Sequence, residues 1–281
     1  MQVERVINNN VVSAFDSKGK EVLVMGKGVG FQGKKGKEID KKLIEKIFYL
    51  ETQTEVDKFK ELLANLPLEH IQVSNEIITY ADKTLNRKLN PNIYITLTDH
   101  INFAIERFRQ GMLFDNPLLW DVRRLYRREY LIGEYAVALI DKQIGIRLPV
   151  DEAASIALHI VNAEYSNVMS ETMSITKIIP QLVEIVKTEF DIQLDEQSIR
   201  YESFVAYLKG MMQRIVNKEQ LDSIDQEFID MVKKLYPGEF ACSRKIADFL
   251  TGHYPDAILA EELAMLSIHI RRLILGTRRE G

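Results

Sequence analysis

The side chains best suited to chemistry in this chain are histidines that recur at a fixed interval. His159 lies in Pro149–Ile160 (PVDEAASIALHI) and His269 in Leu259–Ile270 (LAEELAMLSIHI), 110 residues further on. Val122-Arg-Arg-Leu-Tyr126 and Val232-Lys-Lys-Leu-Tyr236 keep the same interval. Two separate matches at one offset define a duplicated unit of about 110 residues. A third match aligns Leu97–Arg107 with Phe204–Arg214 at an offset of 107, which puts a small length change in the loop before Val232. It sets His100 opposite Tyr207, so the recurrent positions hold His100, His159, Tyr207 and His269. His70 and His253 have no counterpart and are expected to be structural or exposed.

An imidazole nitrogen is nucleophilic near neutral pH. A phosphoryl group placed on it adds charge that can reorganise a helical interface. Other uses weigh against this one. His100 and His159 could meet around a metal, but no cysteine pair or His-x-x-x-His spacing supports zinc. Nucleophilic hydrolysis lacks a serine or cysteine in a plausible context. The plain alternative is a half-buried structural histidine, which a duplication would also copy. The residues alone leave that choice open. Asp99 precedes His100, and a neighbouring carboxylate would raise the imidazole pKa and fix its tautomer.

The elements that must carry these groups read as helices. Ala153, Ile156, Ala157 and Ile160 fall at i, i+3, i+4, i+7, the buried stripe of an amphipathic helix, and Leu263, Leu266, Ser267 and Ile270 repeat it. Asp151-Glu152 and Glu261-Glu262 sit in the first turns, where acids favour the helix dipole. The first repeat starts near Leu66 and holds about five helical stretches; the second starts near Ile175. Both read as α-helical bundles.

The N-terminal segment is of another kind. Residues 1–37 carry a net charge of +4 and leave −8 for the rest of the chain. Val3 and Val6-Ile7, then Val11–Phe15, then Val22–Met25 read as short strands. Asn8-Asn9-Asn10 and Asp16–Gly19 separate them as turns. A small antiparallel sheet of about 50 residues is expected, marginal alone and so expected to dimerise. Its Gly26–Gly36 loop contains G-x-G-x-x-G at Gly28, Gly30 and Gly33, and nearly a P-loop at Gly28–Lys34. Lys35 stands where a P-loop needs Ser or Thr, and the flanks are a β meander rather than a βαβ unit. Lysines, open backbone and one aromatic suit a phosphate-rich polymer better. Charge would meet the backbone, Phe31 would stack, and Asn8 and Asn10 would read base edges. The alternative is a solvated basic hairpin. Residues 38–62 read as one short element and a linker helix.

The bulk numbers describe an ordinary chain of 281 residues, 46% hydrophobic and 28% charged, with a net charge of −4. Cys242 is the only cysteine, which excludes an internal disulfide. No apolar run approaches membrane-spanning length and no signal peptide is evident, so a cytoplasmic location is expected.

Taken whole, the chain resembles the BglG-type transcriptional antiterminators of bacterial sugar operons. The resemblance is carried by VINNNVV (6–12), VMGKGVGFQ (24–32), TLTDHINFAI (96–105), LLWDVRRLY (118–126) and DEAASIALHIVNAE (151–164), in the family's order. It implies a co-antiterminator RNA-binding domain at 1–56 and two PTS regulation domains at 65–170 and 171–281. The fold implied is a small all-β antiparallel domain followed by two homologous all-α bundles. The implied function is binding of a leader mRNA hairpin by a homodimer, which keeps a transcription terminator from forming. The positions matching the family's RNA surface are Arg5, Asn8, Asn10, Gly26, Lys27, Gly30, Phe31 and Gln32. Lys27 stands where several members have arginine, which changes a bidentate contact to a monodentate one. Histidine phosphorylation by a sugar-specific enzyme II is implied for the first regulation domain, and by HPr for the second. His100, His159 and His269 keep the acceptor positions, while Tyr207 departs from the pattern. Such a protein is no enzyme and needs neither cofactor nor metal. A DNA-binding activator with the same regulation domains is the competing reading; it would carry a helix-turn-helix, which the β-rich start argues against.

Overall fold

A computed structural model describes residues 1–31, 33–112, 114–166, 168–219, 225–254 and 260–275. The chain forms two compact units, Met1–Met169 and Ser170–Gly281.

The first unit opens with an antiparallel meander of β1 (Val3–Asn8), β2 (Val11–Phe15), β3 (Glu21–Met25) and β4 (Lys46–Phe48), in that spatial order. β2 pairs with β3 in continuous register, from Val11 opposite Met25 to Phe15 opposite Glu21. Alternate residues face opposite ways along a strand. Val12, Ala14, Val22 and Val24 therefore pack on one face with Val3, Val29 and Ile39. Val11, Leu23, Met25 and Phe48 pack on the other. Four short strands cannot bury two apolar faces by themselves. The loop after β3 covers the first face. Helix α1 (Gln53–Asn65) covers the second with Val56, Phe59 and Leu63.

The sequence starts α1 with a capping box. Thr52 Oγ1 accepts from Glu55 N–H, and Glu55 Oε2 accepts from Thr52 N–H. One half-buried polar group fastens the helix to the sheet. Glu21 on β3 accepts from Ser13, from Gln53 at 2.7 Å and pairs with Lys60 at 2.7 Å. Burial pushes the Glu21 carboxyl up, but its bonds from Lys60, Ser13 and Gln53, with the Lys60 charge, hold it below the usual range.

Five helices complete this unit: α2 (Leu68–Leu85), α3 (Ile93–Arg109), α4 (Leu119–Leu125), α5 (Arg127–Ile144) and α6 (Asp151–Tyr165). Their core contains Ile77, Leu97, Ile101, Ile105, Ile140, Ile156 and Ile160. Phe48 of β4 stands edge-on to Phe59 of α1 and to Tyr94 of α3, with centroids 5.1 and 5.0 Å away. The sheet and the first helical bundle thus meet through shared aromatic packing rather than through a bare tether.

The second unit repeats the five-helix pattern with α7 (Met169–Phe190), α8 (Ile199–Asn217), α9 (Gln226–Leu235), α10 (Pro237–Thr251) and α11 (Ala260–Ile274). α8 matches α3, and α11 matches α6. No described helix is long and apolar enough to cross a membrane.

The helix that carries His159 is seated by a glycine. A Cβ at Gly133 of α5 would stand 2.1 Å from the carbonyl oxygen of Ala153 on α6. Replacing Gly133 with alanine forces two buried helices apart and is expected to destabilise the first unit by about 1–3 kcal/mol, as overpacking does. Thermal unfolding of Gly133→Ala beside the parent checks this; an unchanged melting temperature refutes the close-approach argument.

Candidate nucleic-acid interface and paired-ring sites

The N-terminal candidate site is two turns locked together. Asn8–Asn10 closes the β1–β2 hairpin, and the loop after β3 folds back on it. Gly26 N–H donates to Asn10 O and Gly30 N–H to Asn9 O, each at 2.9 Å. Gly28 N–H donates to Asn10 Oδ1 at 2.9 Å, and Asn10 N–H to Asn8 Oδ1 at 2.8 Å. This approach admits no side chain at two positions. A Cβ would lie 1.7 Å from Leu43 O at Gly26 and 2.1 Å from Asn8 O at Gly30. Gly28 takes φ +74°, which favours glycine. Lys27 is held by its backbone, donating to Glu45 Oε1 at 3.1 Å, while its residue is exposed. Phe31 follows with 68% of its surface in water.

Of the eight residues expected at this surface, Asn8, Asn10, Gly26, Lys27 and Gly30 meet in this double turn, with Phe31 at its end. Asn8 has a second duty, since its Nδ2 donates to Leu63 O of α1 at 2.8 Å. Arg5 is exposed on edge strand β1 and lines a cleft of about 420 Å³ with Asp57, Lys60 and Glu61 of α1. Gln32 lies outside the described residues. The segment is a sheet, with no helix-turn-helix among its described residues.

The second kind of site occurs once in each unit. His100 and Arg107 are seven residues apart on α3, and Glu152 and His159 are seven apart on α6. Two helical turns put each pair on one face. Packing α3 on α6 brings the His100 and His159 rings together, with centroids 4.7 Å apart. Glu152 lies beneath them, nearly fully buried. Its Oε1 pairs with Arg107, and its Oε2 receives His100 Nε2 at 3.0 Å. With the carboxylate oxygens as acceptors beside the arginine, His100 Nε2 is the donor. In neutral His100 the nucleophilic lone pair is then on Nδ1. The carboxylate expected to orient His100 was Asp99. That residue is exposed, and a glutamate more than fifty positions away has the role instead. His159 is deeper. Burial first, then the neighbouring His100, lowers its pKa to about 3.

α8 and α11 rebuild this arrangement with one change. Glu262 Oε1 accepts from Arg214 at 2.7 Å and from Tyr207 Oη at 2.8 Å. The Tyr207 ring stacks on His269 with centroids 3.9 Å apart and planes 15° apart. The phenol thus inherits the carboxylate contact that His100 makes in the first unit. Burial, then the Glu262 charge, raises its pKa above the ordinary tyrosine value, so it is no nucleophile near neutral pH. Burial, then Arg272, lowers the His269 pKa against the pull of Glu262. The other two histidines stand apart. His70 is buried with Nδ1 2.8 Å from Asn102 Oδ1, and His253 is exposed.

Sequence reasoning took Glu152 and Glu262 only as helix-dipole acids and gave Arg107 and Arg214 no part. The signal was present: both carboxylates and both arginines recur at the two offsets, seven residues from the rings. Among the described residues no group of three or more His, Cys, Asp or Glu could hold a metal ion.

The architecture defines a modular protein: a sheet presenting a basic, glycine-rich loop, then two copies of a helical bundle that each hold a paired-ring site. Comparison with known proteins agrees. The CAT RNA binding domain family matches residues 1–57, and the PRD domain family matches residues 75–163 and 180–273. The chain is 43% identical over 274 residues to the transcription antiterminator LicT of Bacillus subtilis (strain 168), covering 98% of this chain and 99% of that protein. It is 40% identical over 273 residues to the beta-glucoside operon antiterminator of Dickeya chrysanthemi, covering 97% and 96%. A crystal structure of GlcT CAT-PRDI matches with a TM-score of 0.53 and 39% identity, over 58% of this chain and 97% of that one. The chain belongs to the BglG-type transcription antiterminators, a family of regulators rather than enzymes.

The buried imidazole gives a pH prediction. The folded-state pKa of His159, about 3, lies below the ordinary histidine value of 6.5. The stability this contributes is fully present above pH 6.5 and is lost as pH falls toward 3, because only the unfolded chain binds the proton. His159→Gln is expected to flatten that part of the acid limb in urea titrations of the full chain. Superimposable limbs would refute it.

Proposed function

We propose that this chain is a sugar-operon antiterminator that binds a leader mRNA hairpin as a homodimer through the double turn and keeps a terminator from forming. The observation that carries the reading is the pinned loop of residues 26–31 in the segment matching the CAT RNA binding domain. Its backbone is fixed before any ligand arrives, so little ordering is left for binding to supply. Lys27 and Arg5 face water and suit phosphates; exposed Phe31 suits a base. Asn8, Asn10 and Gln32 suit base edges, while Gly26 and Gly30 let the backbone come close.

The regulatory half of the reading is that the histidines accept phosphoryl groups from the sugar-uptake phosphotransferase system. His100 and His159 would be acceptors in the first regulation domain, served by a sugar-specific enzyme II. His269 would be the acceptor in the second, served by HPr. The geometry at Tyr207 favours retained control through His269 alone: the phenol preserves the Glu262 and Arg214 anchor while offering no nucleophile. The domains would run 1–56, 65–170 and 171–281, with α1 bridging the first two. A cytoplasmic location follows from this function.

Full-chain titrations of a leader hairpin test the RNA reading. Phe31→Ala is expected to weaken binding by about 1–3 kcal/mol, the usual worth of one base–aromatic stack. Affinity is expected to fall steeply with salt in both proteins. Equal affinity of the two, or a flat salt response, would remove RNA binding by this loop.

A further inference from the structure

The two paired-ring sites differ in a way their shared anchor does not explain. Beside His269, the first turns of α8 and the last turn of α11 enclose a small cleft of about 60 Å³. It is lined by Ile199, Arg200, Ser203, Phe204, His269 and Arg272. Two arginines, a serine and a histidine thus line one cleft with room for one small group. The residues around it are not a copied feature of the fold. By the repeat offsets, Arg200, Ser203 and Arg272 correspond to Ile93, Thr96 and Asn162 in the first unit. Ile93 is a buried core residue. The first unit therefore has no cation at either place.

We propose that Arg200, Arg272 and Ser203 form a receptor for a phosphoryl group carried by His269, a cradle the first regulation domain lacks. This rests on the reading of His269 as a phosphoryl acceptor. Its chemistry suits the cleft. Guanidinium groups match phosphate oxygens in bidentate geometry, and a serine hydroxyl adds a donor. In the transfer, a lone pair on a His269 ring nitrogen attacks the phosphorus of a phosphohistidine donor. The new N–P bond forms as the donor's N–P bond breaks. The donor imidazole leaves with the bonding pair and takes up the proton that His269 releases.

The cradle explains how one acceptor serves where the first unit has two. Tyr207 stacks on the ring and limits its rotation, so the acceptor is held against the cleft wall. Unphosphorylated, the cleft keeps the Arg272 charge beside a ring whose burial already disfavours a further positive charge, with Arg200 on the same cleft wall. A phosphoryl dianion relieves that repulsion, and so the second domain binds it more firmly than a bare histidine would.

The test uses the full chain with potassium phosphoramidate, a small phosphoryl donor that needs no protein docking surface. Parent, Arg200→Gln/Arg272→Gln, Arg200→Lys/Arg272→Lys and His269→Ala proteins are compared. ³¹P NMR reads the extent of labelling and the pH titration of the phosphohistidine signal. The signal that His269→Ala abolishes is assigned to His269. In the glutamine variant its phosphoryl titration is expected to move up by about one pH unit, with lower labelling at equilibrium; two nearby cations hold an anion's pKa down by that order. The lysine variant should recover part of the shift, which a purely structural role would not give. An identical titration and labelling in the glutamine variant would overturn the cradle while leaving His269 as acceptor. A spectrum of parent protein indistinguishable from that of His269→Ala would overturn the acceptor reading and the cradle with it. Unchanged melting temperatures show that the variants are folded.

Discussion

A buried carboxylate that must be paired governs both helical bundles. Glu152 and Glu262 sit in the first turns of α6 and α11, out of water, and each is neutralised by an arginine from the facing helix. Removing the arginine leaves an uncompensated buried carboxylate, which costs several kcal/mol. This fixes the axial register of α3 on α6 and of α8 on α11. The ring pairs are a consequence of that register. Once Glu and Arg meet, residues two turns away on each helix must meet as well. The contact that makes the histidines neighbours is thus distinct from the histidines, and it tolerates a change in one of them. Tyr207 keeps the fold's hydrogen bond and gives up the imidazole's chemistry.

The sheet follows a similar logic with backbone instead of charge. Glycines at 26 and 30 remove the Cβ atoms that would hold two turns apart, and the asparagine side chains fill the remaining donors and acceptors. The result is a loop pinned by backbone bonds on one side and by buried Val29 on the other. Its exposed Phe31 is then an expense in stability terms, since nothing in the described structure covers it.

Much of this was legible in the chain. Alternating valines gave the first three strands, and the asparagine and Asp–Gly turns gave their limits; β4 lay in a stretch read only as one short element. The apolar periodicity gave about five helices per repeat, and the repeat offsets set His100 opposite Tyr207 and His159 opposite His269. What escaped were pairings between distant segments. Glu152 fits a dipole argument so well that its larger role, anchoring Arg107 and His100, was hidden; Asp99, adjacent in sequence, points to solvent. Sequence neighbours on a helix face different ways, so adjacency was the wrong guide and the seven-residue spacing the right one. The cleft beside His269 was invisible for another reason. Arg200 and Arg272 break the repeat, and only the packing of α8 on α11 brings them to one place. The way α1 closes the sheet also depends on tertiary contact, since Phe59 and Leu63 could have faced either neighbour.

The edge-on stack of Phe48 between Phe59 and Tyr94 carries a consequence for motion. The sheet and the first bundle share apolar surface through these rings, so neither can open without exposing part of the other's core. Segments coupled in this way open as one cooperative block, and their backbone amides exchange with solvent at a common free energy. The sheet is therefore clamped to the bundle that holds His100 and His159, like a bow held by its grip. A tilt of α3 reaches the strands as a rigid displacement, without first melting a linker.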